Sequence, residues 1–208
     1  MNTILTEFRK KQPSVCNLII IDNFYENPEE VRNFALLQMF EESKNDYPGK
    51  RTIPFLSEEL KNKLQLIVEP FGGKIIKFSN GNGNGNGCFQ YATSCDKTWI
   101  HHDALEIGVL NWGGVIYLSP DAPLSSGTGF FKYIDGTMNS FEEKIIDSDC
   151  KKYSKDYSKW ELVDKVGNIY NRLVLFNSSR FHASLDYFGT NKNDGRLFQV
   201  FFFTTKNN

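Results

Sequence analysis

From Lys74 to Thr205 the chain repeats one pattern: short runs dense in Ile, Val, Phe, Tyr and Trp, broken by clusters of Gly, Asn, Ser and Asp. Runs of that length and composition read as strands, and such breaks as turns. The candidate strands are KIIKF, CFQYAT, TWIHHD, GVIYLS, GFFKYI, RLVLF, FHASL and RLFQVFFFTT. About eight short strands without intervening helices pair antiparallel, and they must either close on themselves or stack as two layers. The expected fold class is mainly β, an antiparallel sandwich, jelly roll or barrel.

The first third reads differently. LIII, Leu18 to Ile21, is a buried strand, and a helix follows in which Asn27 is the cap, Pro28 the first position and Glu30 the closing member of a capping box. Val31, Phe34, Ala35 and Leu37 supply its apolar face. A second helix starts at the cap Ser57, carries Leu60, Leu64, Ile67 and Val68 on one side, and is expected to stop at Pro70 with the Gly72-Gly73 pair. YPGKRT between the helices is a turn.

At 208 residues the chain suits one domain. Residues 1–73 form its N-terminal strand and helices, packed on the sheet, and residues 74–208 its β core, interrupted by an insertion at about 137–168 that reads as a helix or a lid. GNGNGNG, residues 81–87, reads as a mobile hairpin tip.

A formal charge of −1 with no block of like charge argues against nucleic acid or an anionic membrane as partner. A small molecule or a peptide is the expected substrate. Cys16, Cys88, Cys95 and Cys150 show no CxxC spacing, the N-terminus lacks the apolar core of a signal peptide, and no apolar run is long enough to span a bilayer. A cytoplasmic protein with free thiols is expected, in a host's cytoplasm if the source is a virus, as the Asn- and Lys-rich composition hints. A Cys88–Cys95 disulfide is the lesser alternative.

TWIHHD carries the chemistry. In a strand, alternate side chains share a side, so Trp99, His101 and Asp103 face one way while Ile100 and His102 face the other. His101 therefore has a carboxylate partner two residues on, and His102 does not. The remaining histidine, His182 in FHAS, completes a set of two imidazoles and one carboxylate, the facial triad of non-haem Fe(II), with three positions left open. Arg196 opens the apolar strand RLFQVFFFTT, and a guanidinium buried there needs an anion, such as the far end of a dicarboxylate. Arg172 and Arg180 compete for that role.

These residues resemble the 2-oxoglutarate- and Fe(II)-dependent oxygenases of the prolyl-hydroxylase-like branch. The likeness covers roughly residues 88–203, with TWIHHD as the HxD motif, FHAS as the distal histidine and RLFQVFFF as the arginine strand. IDNFYENPEEVRNFAL and YPGKR also look like the front part of bacterial and phage members of unknown substrate. The resemblance implies a double-stranded β-helix, a jelly-roll variant related to the cupins. It implies Fe(II) on His101, Asp103 and His182, with 2-oxoglutarate and O2 as cosubstrates. It also implies that Tyr91 and Tyr117 join Arg196 in binding 2-oxoglutarate, and that the reaction hydroxylates an unactivated C–H bond of an amino-acid side chain such as peptidyl proline. Gly127, Thr128 and Gly129 stand where the family often has Gly-Gly and a polar residue, and the His182-to-Arg196 spacing is longer than is typical. The competing readings are a non-catalytic jelly-roll module, binding or phage-structural, and a cupin-like metalloenzyme that does not use 2-oxoglutarate.

Overall fold

The computed structural model describes residues 16–42, 47–78, 85–103, 110–138 and 152–206. Along the chain lie β1 (Leu18–Ile21), α1 (Pro28–Leu37), β2 (Glu41–Glu42), β3 (Lys50–Pro54), α2 (Glu58–Gly72), β4 (Lys74–Lys77), β5 (Cys88–Ala92) and β6 (Leu110–Tyr117). Then follow β7 (Thr128–Tyr133), β8 (Trp160–Val166), β9 (Leu173–Asn177), β10 (Phe181–Ser184) and β11 (Arg196–Lys206). An eight-stranded sheet runs β1-β9-β6-β11-β5-β3-β2, with β4 also paired to β11, and a three-stranded sheet runs β10-β7-β8. Every strand pair is antiparallel.

The large sheet is buried on both faces, which explains why its central strands read as nearly unbroken apolar runs. One face presents Phe89, Ile116, Leu173, Leu175, Leu197, Phe201 and Phe203 to Ala35 of α1 and to Leu64 and Val68 of α2. The opposite face presents Val115, Tyr117, Val174, Phe176, Phe198 and Val200 to Phe130 and Val166 of the small sheet. Two sheets thus stack with a core between them, and the helices cover the outside of the larger one.

The helices depart from expectation at their ends. Asn27 precedes α1 but makes no side-chain cap bond, so Pro28 and the acidic Glu29 and Glu30 mark the start without a capping box. Leu36 rather than Leu37 packs on the core, and Leu37 is exposed. In α2 the Ser57 hydroxyl accepts from the Leu60 amide at 3.1 Å, as its sequence position demands. The helix does not stop at Pro70 but runs to Gly72. Proline there costs only the bond to Leu66 in the last turn, and the Gly73 amide, at φ 76°, closes the end on the Glu69 carbonyl.

Four more expectations need correction. YPGKRT is a turn only through Gly49, and β3 takes up Lys50–Pro54 and joins the sheet. Gly49 has φ +73°, and a Cβ there would lie 2.0 Å from the Tyr91 carbonyl oxygen, so only glycine lets this turn approach β5. TWIHHD forms no strand and meets its neighbour at a single bridge, His101 to His182. The span 137–168 contains β8, which pairs with β7; residues 139–151 lie outside the described residues.

The last part of GNGNGNG is not a mobile tip. Asn86 is fully buried, its side-chain oxygen accepting from the Phe202 amide at 2.9 Å and its nitrogen donating to the Phe78 carbonyl at 3.2 Å; residues 81–84 lie outside the described residues. Cys16, Cys88 and Cys95 are free thiols, and Cys150 lies outside the described residues. No helix among the described residues is long and apolar enough to cross a membrane.

Candidate metal centre

His182 sits in β10, an edge strand of the small sheet. On its open side the chain around His101 lies alongside: the His101 amide donates to the His182 carbonyl at 3.0 Å, the His182 amide donates back at 2.8 Å, and the Asp103 amide donates to the Ser178 carbonyl at 2.8 Å. Bonds from residues 101 and 103 to the same partner segment hold the backbone extended, so alternation of side chains survives without a full strand. One ligand atom each from His101, Asp103 and His182 lies within 4.8 Å of the others.

Both rings of this cluster have their tautomer set by the backbone. Nδ1 of His101 donates to the Trp99 carbonyl at 3.0 Å, and Nδ1 of His182 donates to the Arg180 carbonyl at 2.9 Å. A carbonyl only accepts, so each Nδ1 carries a proton and each Nε2 points inward. Those Nε2 atoms meet a carboxylate: His182 Nε2 is 3.1 Å from Asp103 Oδ2, and His101 Nε2 is 3.7 Å from Oδ1. Nε2 atoms this close to a carboxylate require a cation among them, a proton or a metal ion.

The electrostatics are those of a ligand set. Burial and the neighbouring His182 push the His101 pKa from 6.5 down to about 4, although Asp103 pulls the other way, so its ring is neutral at neutral pH. Burial acts to raise the pKa of Asp103, but His182, His101 and Arg51 outweigh it and hold the carboxyl well below its ordinary range. His102 is outside the cluster; its ring meets the edge of Phe181 at a centroid distance of 5.9 Å.

The cluster opens into a cavity of about 380 Å³ between the sheets, walled by Tyr47, Trp99, Phe176, Tyr187, Phe198 and Phe202. Arg196 lies against that wall, 1% exposed, its guanidinium 4.4 Å from the Phe198 ring centroid and 5.9 Å from that of Tyr187. Its Nε donates to the Ser126 carbonyl at 2.8 Å, while Nη1 has no hydrogen-bond partner among the described residues. The competing arginines are occupied: Arg172 grips Asp22 at 2.6 and 2.9 Å, and Arg180 donates to Asp164 at 2.5 Å.

Tyr117 is fully buried, with its ring centroid 5.3 Å from the Arg196 guanidinium and its hydroxyl 2.7 Å from that of Thr128, a cavity residue. The close approach that seats Thr128 requires its neighbour to be glycine, because a Cβ on Gly127 would lie 1.8 Å from the Val166 carbonyl oxygen. Tyr91 is a correction. It shares with Phe89 the helix-facing side of β5, packs edge-on against Phe40 at 5.0 Å, and does not line the cavity. Its neighbour Gln90 lines the cavity instead, with Arg51 of β3 and Tyr47. In the sequence Tyr47 and Arg51 stood out only as the ends of YPGKR, without a role, and Gln90 not at all.

Residues 7–203 match a family described as a family of unknown function (DUF6445). The chain belongs to that family. No curated protein matches the sequence. Among solved structures, HygX from Streptomyces hygroscopicus with nickel and 2-oxoglutarate bound superposes with a TM-score of 0.62 at 13% identity, over 99% of this chain and 87% of that one. A prolyl hydroxylase from Trichoplax adhaerens, in complex with a hypoxia inducible factor peptide fragment, gives 0.57 at 13% identity over 99% and 90%. A Pseudomonas putida prolyl-4-hydroxylase gives 0.50 at 14% identity over the whole of both chains. At these identities the likeness is one of fold.

Proposed function

We propose that this member of the family is an Fe(II)- and 2-oxoglutarate-dependent dioxygenase that hydroxylates an unactivated C–H bond of an amino-acid side chain, peptidyl proline among them, or of a similar small substrate. The observation that carries this reading is a two-imidazole, one-carboxylate cluster opening into a cavity whose wall residues Phe198 and Tyr187 pack against a buried guanidinium with an unmatched Nη1. The two-sheet stack is then a double-stranded β-helix, and the solved structures of that fold include one holding 2-oxoglutarate beside a metal and one holding iron.

The donor set fits Fe(II), for which two imidazoles and a carboxylate leave positions open to other ligands. Bound iron and 2-oxoglutarate supply the oxidising chemistry: O2 is consumed, the keto acid is decarboxylated to succinate, and a C–H bond becomes C–OH. The chain holds and shields. His101 and His182 would offer their Nε2 atoms, oriented by the Trp99 and Arg180 carbonyls, and Asp103 would offer the charge. Arg196 receives the far carboxylate of 2-oxoglutarate through its free Nη1, with Tyr117 and Thr128 beside it. Phe198, Val200 and Phe202 line the wall with apolar surface and limit water.

A non-catalytic module would leave the histidine-carboxylate cluster open to solvent. Here the side chain of His101 is 39% exposed, but those of Asp103 and His182 are only 24% and 7% exposed, a costly burial for groups without a ligand. A metalloenzyme without 2-oxoglutarate would have no use for the unmatched Arg196. The test is substrate-free turnover: the full chain with Fe(II), ascorbate and O2 should convert 2-oxoglutarate to succinate slowly. Arg196→Leu should abolish this while binding one metal ion per chain. No succinate from the native chain, or equal turnover in the variant, overturns the reading.

A further inference from the structure

The cavity holds a second guanidinium that the metal chemistry leaves unused. Arg51 of β3, Gln90 of β5 and Phe198 of β11 stand in one row across the large sheet. The Arg51 Nε donates to Gln90 Oε1 at 2.6 Å, and Gln90 Nε2 donates to the Pro48 carbonyl at 2.6 Å, so the amide is fixed before it fixes the arginine. The flat face of the guanidinium lies 3.8 Å from the Tyr47 ring centroid. One edge and one face are thereby clamped.

The remaining edge, whose Nη1 lies against Gly85, has no hydrogen-bond acceptor among the described residues. Among the described residues no carboxylate pairs with Arg51 and no acceptor meets its Nη groups, while Asp103, the carboxylate of the cavity wall, belongs to the metal cluster. Burial presses the Arg51 pKa down, the direction expected of a cation kept from water. With Fe(II), Asp103, 2-oxoglutarate and Arg196 in place the charges of those four cancel, and the positive charge of Arg51 is left over. A partly buried, pre-oriented cation without a counter-ion among the described residues is costly unless a ligand brings one.

We propose that Arg51 anchors the prime substrate, and that this substrate is a small monocarboxylic acid whose carboxylate accepts from the two Nη groups while its body lies against Trp99, Tyr187, Phe198 and Phe202. Two parallel N–H donors match a planar carboxylate, and one uncompensated charge matches a monoanion better than a phosphate dianion. The cavity of about 380 Å³ must also hold 2-oxoglutarate, which keeps the acid small. The single charge and small size of this acid, and its assignment as the group that is hydroxylated, rest on the oxygenase reading; the fit of a carboxylate to the two Nη groups does not.

Saturation-transfer NMR on the full chain tests it, with phenylacetate and the neutral isostere phenylacetamide as probes, with and without Zn(II) and 2-oxoglutarate. The native chain should bind the acid at least roughly ten-fold more tightly than the amide, Arg51→Gln should erase that preference, and Arg51→Lys, which keeps the charge but not the fork, should retain part of it. Equal binding of acid and amide, or an undiminished preference in Arg51→Gln with the melting temperature unchanged, overturns the proposal. So does displacement of phenylacetate by inorganic phosphate at lower concentration than by acetate. A loss of 2-oxoglutarate binding in Arg51→Gln as large as in Arg196→Leu would make Arg51 a cosubstrate anchor and overturn it too. If the acid preference holds but the native chain makes no succinate from 2-oxoglutarate, the oxygenase reading falls and the subsite stands.

Discussion

The Nε2 atom of His182 lies 3.1 Å from Oδ2 of Asp103 although the ring has already given its Nδ1 proton to the Arg180 carbonyl. Two lone pairs at that distance repel unless a cation joins them. The cation is a second proton on the imidazole or a metal ion, and His101, with its own Nε2 turned inward by the Trp99 carbonyl, makes the metal the better match.

Removing the metal exposes the strain. Treatment with a chelator should lower the thermal midpoint of the full chain, and Fe(II) or Zn(II) should restore it in proportion to the logarithm of free metal. A midpoint indifferent to both would remove the cluster from the list of binding sites.

The metal-free protein should also lose stability with acid in a defined window. An unfolded histidine takes its proton near 6.5, but folded His101 resists until about 4, so between those values the unfolded chain binds more protons and is favoured. The His101-linked stability is unperturbed above the upper value and falls as pH drops toward the lower one. Urea unfolding of metal-free native chain and His101→Gln across this range should show a steeper loss in the native chain; parallel curves contradict the shift.

Arg196 and Arg180 separate cosubstrate binding from stability. Arg196→Leu should weaken 2-oxoglutarate binding by about 2–4 kcal/mol, on the order of 100-fold, by removing a charge-assisted pair. Arg180→Leu breaks the contact to the half-exposed Asp164 and should cost roughly 1 kcal/mol of stability, leaving the affinity for 2-oxoglutarate unchanged. Calorimetric titration of both variants decides, and reversed effects would put the carboxylate at Arg180.

The two tyrosines should behave oppositely. Tyr117→Phe removes the hydroxyl beside Arg196 and Thr128 and should raise the KM for 2-oxoglutarate several-fold, while Tyr91→Phe, on the helix-facing side of β5, should leave it unchanged. Sensitivity of KM to Tyr91 alone would invert the strand parity described above.

Much of the fold was legible because strands buried on both faces write themselves as apolar runs. The strand β8 was not. Its sequence WELVDKV is exposed along its middle, and its apolar ends Trp160 and Val166 are too far apart to announce a strand inside a polar stretch. His101, Asp103 and His182 were readable because alternation needs only an extended chain, which three backbone bonds to the 178–182 segment enforce without a ladder. Tyr91 failed on parity: Phe89 of the same strand faces the helices, and a residue two positions on must follow it. Arg51 was noted only as the last residue of YPGKR, with no role attached to it. It reaches the cavity only because β3 pairs with β5 in a register set by tertiary packing, far along the chain from the histidines.

The metal cluster is tested most directly by anaerobic addition of Fe(II) and 2-oxoglutarate, which should give the visible charge-transfer absorption of a chelated keto acid. The native chain and His102→Ala should show the band, because His102 packs against Phe181 and not into the cluster, whereas His101→Ala should lose it. A native chain without the band, or a band that survives in His101→Ala and disappears in His102→Ala, would contradict the assignment.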